Sequence, residues 1–196
     1  ADPTDRRFHS ETISCFNCGP QVEFTDKRGV VLSGNPLAQA RTMLKLGNIV
    51  ALKGVGGYQL VLDATRADAI TRLRELKHRP AKPLAVMAPS LDVVKRYCAV
   101  SEVEEDALTS PARPIVTLRT RMRTWNGLPH ALAPDAYTLG VMLPTSPLHA
   151  LLFMGDNRDE DLHLLVVTSG NRRGEPMWLE NAQARANLGE IADFFL

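Results

Sequence analysis

Long apolar runs are missing from this 196-residue chain. Nowhere do about 18 apolar residues follow one another, the least that spans a membrane, and no signal-peptide pattern opens the chain. Both absences fit a soluble, unexported, cytoplasmic protein. Cysteine is scarce: Cys15, Cys18 and Cys98 are too few for a disulfide framework and suit a reducing compartment. Charge of one sign is lacking too, since 23 basic and 22 acidic side chains leave a formal +1. Aromatics make up only 6%. Strong electrostatic or stacking recognition of RNA, and attraction to an anionic membrane, are therefore not expected. What is plentiful is apolar material, 44% of the residues, enough for one ordinary domain with a sizeable core.

The first thirty or so residues are polar, lack a sustained apolar period and hold the one close cysteine pair. They read as an appendage, residues 1–30, ahead of a globular body over 31–196. Regular structure in that body is expected from about Asn35. Asn35-Pro36 opens a helix, with asparagine as N-cap and proline at the first helical position, and Gly47 stops it. Strands follow at IVALKG and YQLVLDA, then a helix with Ala67, Ile70 and Leu73 on one face, then a buried strand at LAVM. Two helices over 91–98 and 101–109 precede a strand at PIVTLR. Residues 120–136, rich in proline, arginine and small residues, read as an exposed loop. The remainder reads as strand 137–142, helix 147–154, an acidic loop, strand LHLLVVTS, a Ser-Gly-Asn turn, a helix and a short apolar end. Alternating strands and helices indicate an α/β domain around a twisted, mixed sheet with flanking helices.

Two segments can carry chemistry. In KHRPAKPLAVM, Lys77, Arg79 and Lys82 sit where a helix gives way through prolines to a buried strand. Arginine can grip phosphate oxygens in a fork and lysine adds a point charge, so the cluster suits a polyanion. Equally, Lys77 can simply complement the C-terminal dipole of its helix. In VVTSGNRRGEP, Ser169 and Asn171 follow an apolar strand, and ligands of open α/β sheets sit beyond strand carboxyl ends. Ser-Gly-Asn is also ordinary turn composition. GVGG lacks the ending of a P-loop and the spacing of a dinucleotide fingerprint. No Ser-His-Asp order stands out; His149 and His163 read as packing or rim residues, and Cys98 as core. Cys15-Phe-Asn-Cys18 has zinc-knuckle spacing, yet four ligands are needed, so it is half a zinc site, expected to hold no tight zinc in a single chain.

Together these segments resemble the HypF-type carbamoyltransferases. Asp2-Pro3, Asp5-Arg6-Arg7-Phe8-His9 and Cys15-x-x-Cys18-Gly19-Pro20 look like the second half of that family's second zinc finger. VALKGVGGYQLVLDAT, KHRPAKPLAVM, RPIV, LGVMLP, SPLH, and TSGN with GEP resemble its YrdC-like domain, in the same order. The resemblance implies ATP binding through a K-x-R motif (Lys77, Arg79) and an S-x-N motif (Ser169, Asn171), with Lys82 nearby and magnesium on the phosphates. It implies adenylation of a carbamoyl group derived from carbamoyl phosphate, with Lys77 and Arg79 neutralising charge and Lys53, Tyr58 and His149 in the substrate pocket. A Kae-like domain of the same parent then passes the group to the C-terminal cysteine of a hydrogenase maturation partner. That domain, an acylphosphatase-like domain and most of the fingers lie outside this sequence, which reads as a core of a longer protein, with zinc bound only in that parent. The sequence departs from the family at Thr145-Ser146-Pro147, usually Tyr-Thr-Pro, and at Arg173, usually Ser. Stand-alone relatives make threonylcarbamoyl-AMP for tRNA modification and carry Pro-Thr-x-Thr-x-Tyr-Gly-Leu. Here the stretch is Lys53-Gly-Val-Gly-Gly-Tyr58-Gln59-Leu60, with neither threonine, which favours carbamoyl chemistry. An RNA-binding YrdC-like module is the third reading.

Overall fold

The computed structural model describes Thr4 and residues 19–121, 127–155, 162–172 and 174–196. Cys15, Cys18, Arg173 and the acidic loop at 156–161 lie outside the described residues. Among the described residues eight strands form one mixed sheet: β1 (Thr25–Asp26), β2 (Val50–Gly54), β3 (Gly57–Asp63), β4 (Val86–Met87), β5 (Val116–Arg119), β6 (Thr138–Met142), β7 (Leu165–Ser169) and β8 (Phe194–Phe195). Their order is β1-β8-β2-β3-β7-β4-β6-β5, with β8–β2 and β4–β6 parallel and the other neighbours antiparallel.

Among the described residues the α-helices are α1 (Pro36–Lys45), α2 (Ala67–Leu76), α3 (Leu91–Tyr97), α4 (Glu102–Thr109), α5 (Pro147–Phe153) and α6 (Asn181–Leu188). Asn35 caps α1 as its sequence predicts, its side chain accepting from the amides of Leu37 and Ala38, and Gly47 leaves the helix at φ 86°. Alternation along the strands builds two apolar layers. Ala51, Leu60, Leu62 and Val166 pack with α2, α3, α4 and α6 on one face. Val50, Leu52, Val61, Leu165 and Val167 pack with α1 and α5 on the other.

Two sequence expectations need correction. Phe24 is fully buried and β1 pairs with β8, so ordered packing begins ahead of Asn35. The 120–136 segment is not an exposed loop throughout: Leu128, Leu132 and Ala133 are buried, and His130–Leu132 forms a 3-10 turn against α2. The reason is Arg74 of α2, whose guanidinium donates to the carbonyls of Ala131 (2.6 Å) and Leu132 (3.1 Å) and pulls that backbone onto the core. Arginine and proline content suggested solvent, whereas isolated leucines and one buried cation decide the packing.

Candidate functional site

Lys77 is the C-cap of helix α2, and the next two residues close it in a Schellman arrangement. The amide of His78 donates to Glu75 O (3.0 Å) and that of Arg79 to Arg74 O (2.9 Å). This geometry requires a left-handed residue, normally glycine; here it is His78 at φ 50°. A β-carbon in that conformation costs on the order of 1 kcal/mol or more, and such strain gathers at binding sites. The turn throws Lys77 and Arg79 to the same side, toward the end of β7.

There the Ser169-Gly170-Asn171 turn meets them. The amide of Gly170 donates to Tyr58 O (2.7 Å), and any β-carbon at 170 would collide with that carbonyl, so only glycine allows the approach. Ser169 Oγ donates to Asn171 Oδ1 (2.7 Å), and Asn171 Nδ2 donates to Glu175 O (2.5 Å). Lys77, 5% exposed, donates from Nζ to Ser169 O (2.6 Å), Asn171 O (2.9 Å) and Asn171 Oδ1 (3.4 Å). The two motifs are thus stitched together by an ammonium facing carbonyl dipoles and no carboxylate. Its acceptors lie across the turn, not in α2, so completing the helix dipole is not its main contact.

A cavity of about 480 Å³ opens on this junction, lined by Lys77, Arg79, Lys82, Ser169, Asn171 and Arg172 among others. Arg79 donates from Nη1 to Thr168 Oγ1 (3.3 Å) and from Nη2 to Pro83 O (2.8 Å), while its buried Nε has no partner among the described residues. Lys82 is exposed. None of the cavity-lining residues is acidic, so the wall is rich in donors and poor in acceptors. Burial, and next the charge of Arg79, pull the Lys77 pKa down to about 8; burial lowers that of Arg79.

The lowered Lys77 pKa has a defined pH signature. Below about 8 the lysine is charged in both folded and unfolded chains and its desolvation cost is fully present. Between about 8 and the ordinary 10.5 the unfolded chain binds the extra proton, so folding stability gains as pH rises. A bound polyanion favours the charged form and should oppose this. Near pH 8, ATP binding is expected to take up a proton, seen as a calorimetric enthalpy that varies with buffer ionisation heat. An enthalpy independent of buffer would refute it.

The three residues expected to form a substrate pocket are not brought together. Lys53 and Tyr58 are direct cross-strand partners and share a face. Gln59, one residue on, faces the opposite side, where it pairs across the strands with Ser169. His149, buried on that side, is held between Gln59 Oε1 (2.8 Å from Nε2) and Thr145 Oγ1 (3.0 Å from Nδ1). Burial lowers its pKa, and neutral imidazole donating from Nε2 to Gln59 and accepting from Thr145 satisfies both contacts. Lys53 Nζ (2.7 Å) and Tyr58 Oη (3.1 Å) both donate to Asn181 Oδ1 instead, in a second cavity.

Arg74, Gln59, Thr168 and Asn181 went unnoticed in the sequence. One signal was readable: Arg74 falls four residues after Ile70, inside the apolar stripe of α2, where a solvated arginine does not belong. The others are ordinary polar residues whose neighbours come from distant strands.

An open, mixed α/β sheet with a cationic strand-end cavity defines a class that other proteins share. The Sua5/YciO/YrdC family model, described as telomere recombination, matches residues 42–196, and the HypF finger model matches residues 1–25. The chain belongs to the Sua5/YciO/YrdC family, as a YrdC-like domain of the HypF kind. It is 46% identical over 195 residues to carbamoyltransferase HypF of Rhodobacter capsulatus, covering all of this chain and 25% of that protein. Its identity to carbamoyltransferase HypF of a Synechocystis strain is 40%, over 31% of that protein. The chain thus spans a quarter to a third of these relatives. Among solved structures, full-length HypF in a phosphate- and nucleotide-bound form superimposes with TM-score 0.86 at 41% identity, over 99% of this chain and 24% of that one. HypF of T. kodakarensis superimposes at 0.89 and 39%, over 99% and 25%. P. abyssi Sua5 complexed with L-threonine shares the fold, at TM-score 0.65 and 19% identity, over 78% of this chain and 44% of that one. Among the described residues no helix is long and apolar enough to cross a membrane.

Proposed function

We propose that this chain binds ATP in the cationic cavity and there adenylates a carbamoyl group derived from carbamoyl phosphate, for hydrogenase maturation. The observation that carries this reading is the acceptor-poor wall on which the K-x-R and S-x-N motifs meet. The nucleotide-bound relative supports it. Arg79 and Lys82 take the phosphate oxygens, as a fork and a mobile charge respectively. Lys77 is largely engaged by the turn carbonyls, so it positions Ser169 and Asn171 and adds positive potential to the cavity.

The catalytic work is electrostatic. Hydrolysis of carbamoyl phosphate by water first releases inorganic phosphate and carbamate; a carbamate oxygen then attacks the α-phosphorus, the bond to the bridging oxygen breaks, and pyrophosphate leaves, while the cations offset the crowding of anions. Carbamate is already a nucleophile, so no general base is needed. The cavity lining offers no carboxylate to a metal, and among the described residues no cluster of three metal-ligating side chains occurs. Magnesium would therefore be held by the nucleotide phosphates, whose charge it partly neutralises. For the acyl pocket, the Gln59–His149 pair shares its face with Ser169 and suits the carbamoyl end. Lys53 and Tyr58 belong to the other cavity. Transfer to a partner's C-terminal cysteine falls to a Kae-like domain, so this chain alone should carbamoylate no protein.

The test is exchange of labelled pyrophosphate into ATP. Exchange is expected with carbamoyl phosphate or with carbamate from ammonium bicarbonate. Exchange requiring threonine plus bicarbonate would move the chain to threonylcarbamoyl-AMP synthesis. Salt-sensitive RNA shifts without ATP binding would make it an RNA module.

A further inference from the structure

Gln59 stands beside the nucleotide cavity with half of its amide unused. It pairs across the strands with Ser169, which lines that cavity. The amide of Gly170 donates to Tyr58 O (2.7 Å), which makes Gln59 and Ser169 a non-hydrogen-bonded pair, the closer of the two antiparallel kinds. Side chains of such a pair start about 4.5–5.5 Å apart on one face of the sheet. Gln59 is half-buried, and its Oε1 accepts from His149 Nε2 (2.8 Å). Its Nε2 donates to nothing among the described residues, and it is not one of the partnerless polar atoms sealed inside the protein. A reachable donor therefore lies next to Ser169.

The orientation of that donor is set from behind. Burial lowers the pKa of His149, which is 3% exposed, and keeps its ring neutral. The Thr145 hydroxyl has no other hydrogen bond among the described residues, so it donates to His149 Nδ1 (3.0 Å). The ring proton then sits on Nε2, and Gln59 must offer it the carbonyl end of the amide. Oε1 lies over the bare backbone of Gly54, where a β-carbon would come within 3.4 Å of it. The amide is thus held with its NH2 turned outward before any ligand arrives, so binding there sacrifices little rotamer freedom.

We propose that Gln59 grips the carbamate: Nε2 donates to one carbamate oxygen and leaves the other to meet the α-phosphorus, with His149 and Thr145 as positioning residues. This rests on the carbamoyl-adenylation reading. As the second oxygen bonds to phosphorus, negative charge drains from the oxygen that Gln59 holds. The hydrogen bond is therefore stronger to free carbamate than to the carbonyl that forms, and its loss falls on KM more than on kcat.

The experiment is pyrophosphate exchange driven by ammonium bicarbonate, which supplies carbamate, with ATP affinity measured on the same samples. Gln59→Leu and Gln59→Glu should each raise KM for ammonium bicarbonate about tenfold or more, with kcat near the parent's and the ATP dissociation constant unchanged. Glutamate keeps an acceptor for His149, so agreement of the two variants separates a lost donor from a damaged fold. Thr145→Val should raise the same KM by less, and 15N spectra should show His149 losing its single Nε2-protonated form. Thr145→Ser should restore both. A parent-like KM in folded Gln59→Leu or in Gln59→Glu, or an Nδ1-protonated His149 in the parent, overturns the proposal. Should the parent show no exchange, the adenylation reading fails, and the side-chain amide resonances of Gln59 decide the proposal. With a non-hydrolysable ATP analogue bound, ammonium bicarbonate should shift them more than sodium bicarbonate at equal concentration; an equal response overturns it.

Discussion

Replacing Arg79 with alanine is expected to raise the dissociation constant for ATP at least tenfold while lowering the melting temperature only slightly. Arg79 lines a cavity that holds no acidic side chain, and each charge-assisted bond to phosphate is worth roughly 1.5–3 kcal/mol, about tenfold to hundredfold in affinity. Its two intramolecular bonds run to neutral acceptors, Thr168 Oγ1 and Pro83 O, one of them long. Losing them should cost on the order of 1 kcal/mol, about 2–4 °C for a domain of this size. No pairing of Arg79 with Glu75 occurs among the described residues, which removes the simplest structural role for this cation. Lys82→Ala is the comparison: its side chain is exposed and forms no hydrogen bond among the described residues, so a smaller loss is expected. Titration calorimetry and a thermal melt on the same sample separate binding from folding. An unchanged dissociation constant in Arg79→Ala would remove Arg79 from the site.

Local rules made much of this molecule readable. Asn35-Pro36 and Gly47 bracket α1 because capping is decided within one helical turn. The continuous apolar runs in YQLVLDA and LVVTS are those of strands buried on both faces. The K-x-R and S-x-N motifs were legible as motifs, and the fold brings them to one cavity. How they are joined was not legible. Nothing in the Lys77-His78-Arg79 string signals a left-handed histidine, because glycine is the residue that usually marks that turn. Nor does the string say that Lys77 spends its donors on carbonyls some ninety positions away instead of leaving them free for phosphate. The division of Lys53 and Tyr58 from His149 follows from the pleat: Tyr58 and Gln59 are adjacent and therefore face opposite ways. β1 was missed because its two residues have no period to detect; only pairing with β8 makes them a strand.

Arg74→Met should be the most destabilising single change in the α2 region, by about 3–5 kcal/mol, a range that calls for a named mechanism. The mechanism is a cage of carbonyls around a buried guanidinium. Nη1 donates to Arg79 O (2.8 Å), Pro80 O (3.3 Å) and Lys82 O (3.1 Å), Nε to Ala131 O and Nη2 to Leu132 O. No carboxylate takes part, and burial followed by the nearby charge of Arg79 lowers the pKa. Methionine fills similar volume but supplies no donor; Leu132 O still accepts from the amide of Leu84 (2.9 Å), so up to four carbonyls are left without a partner at about 1–3 kcal/mol for each that stays buried. Water entry and relaxation keep the total near the lower end of that sum. At about 2–4 °C per kcal/mol the melt should fall by on the order of 10 °C. Arg74→Lys can restore one or two contacts and should fall between. Because three of the five carbonyls belong to the strand of backbone that carries Arg79 and Lys82, ATP affinity should drop in Arg74→Lys even where the protein remains fully folded. A melt of Arg74→Met within a couple of degrees of the parent would show that the carbonyls find water at little cost. Parent-like ATP binding in folded Arg74→Lys would confine the cage to holding the 130–132 turn, without a part in setting the phosphate-facing cations.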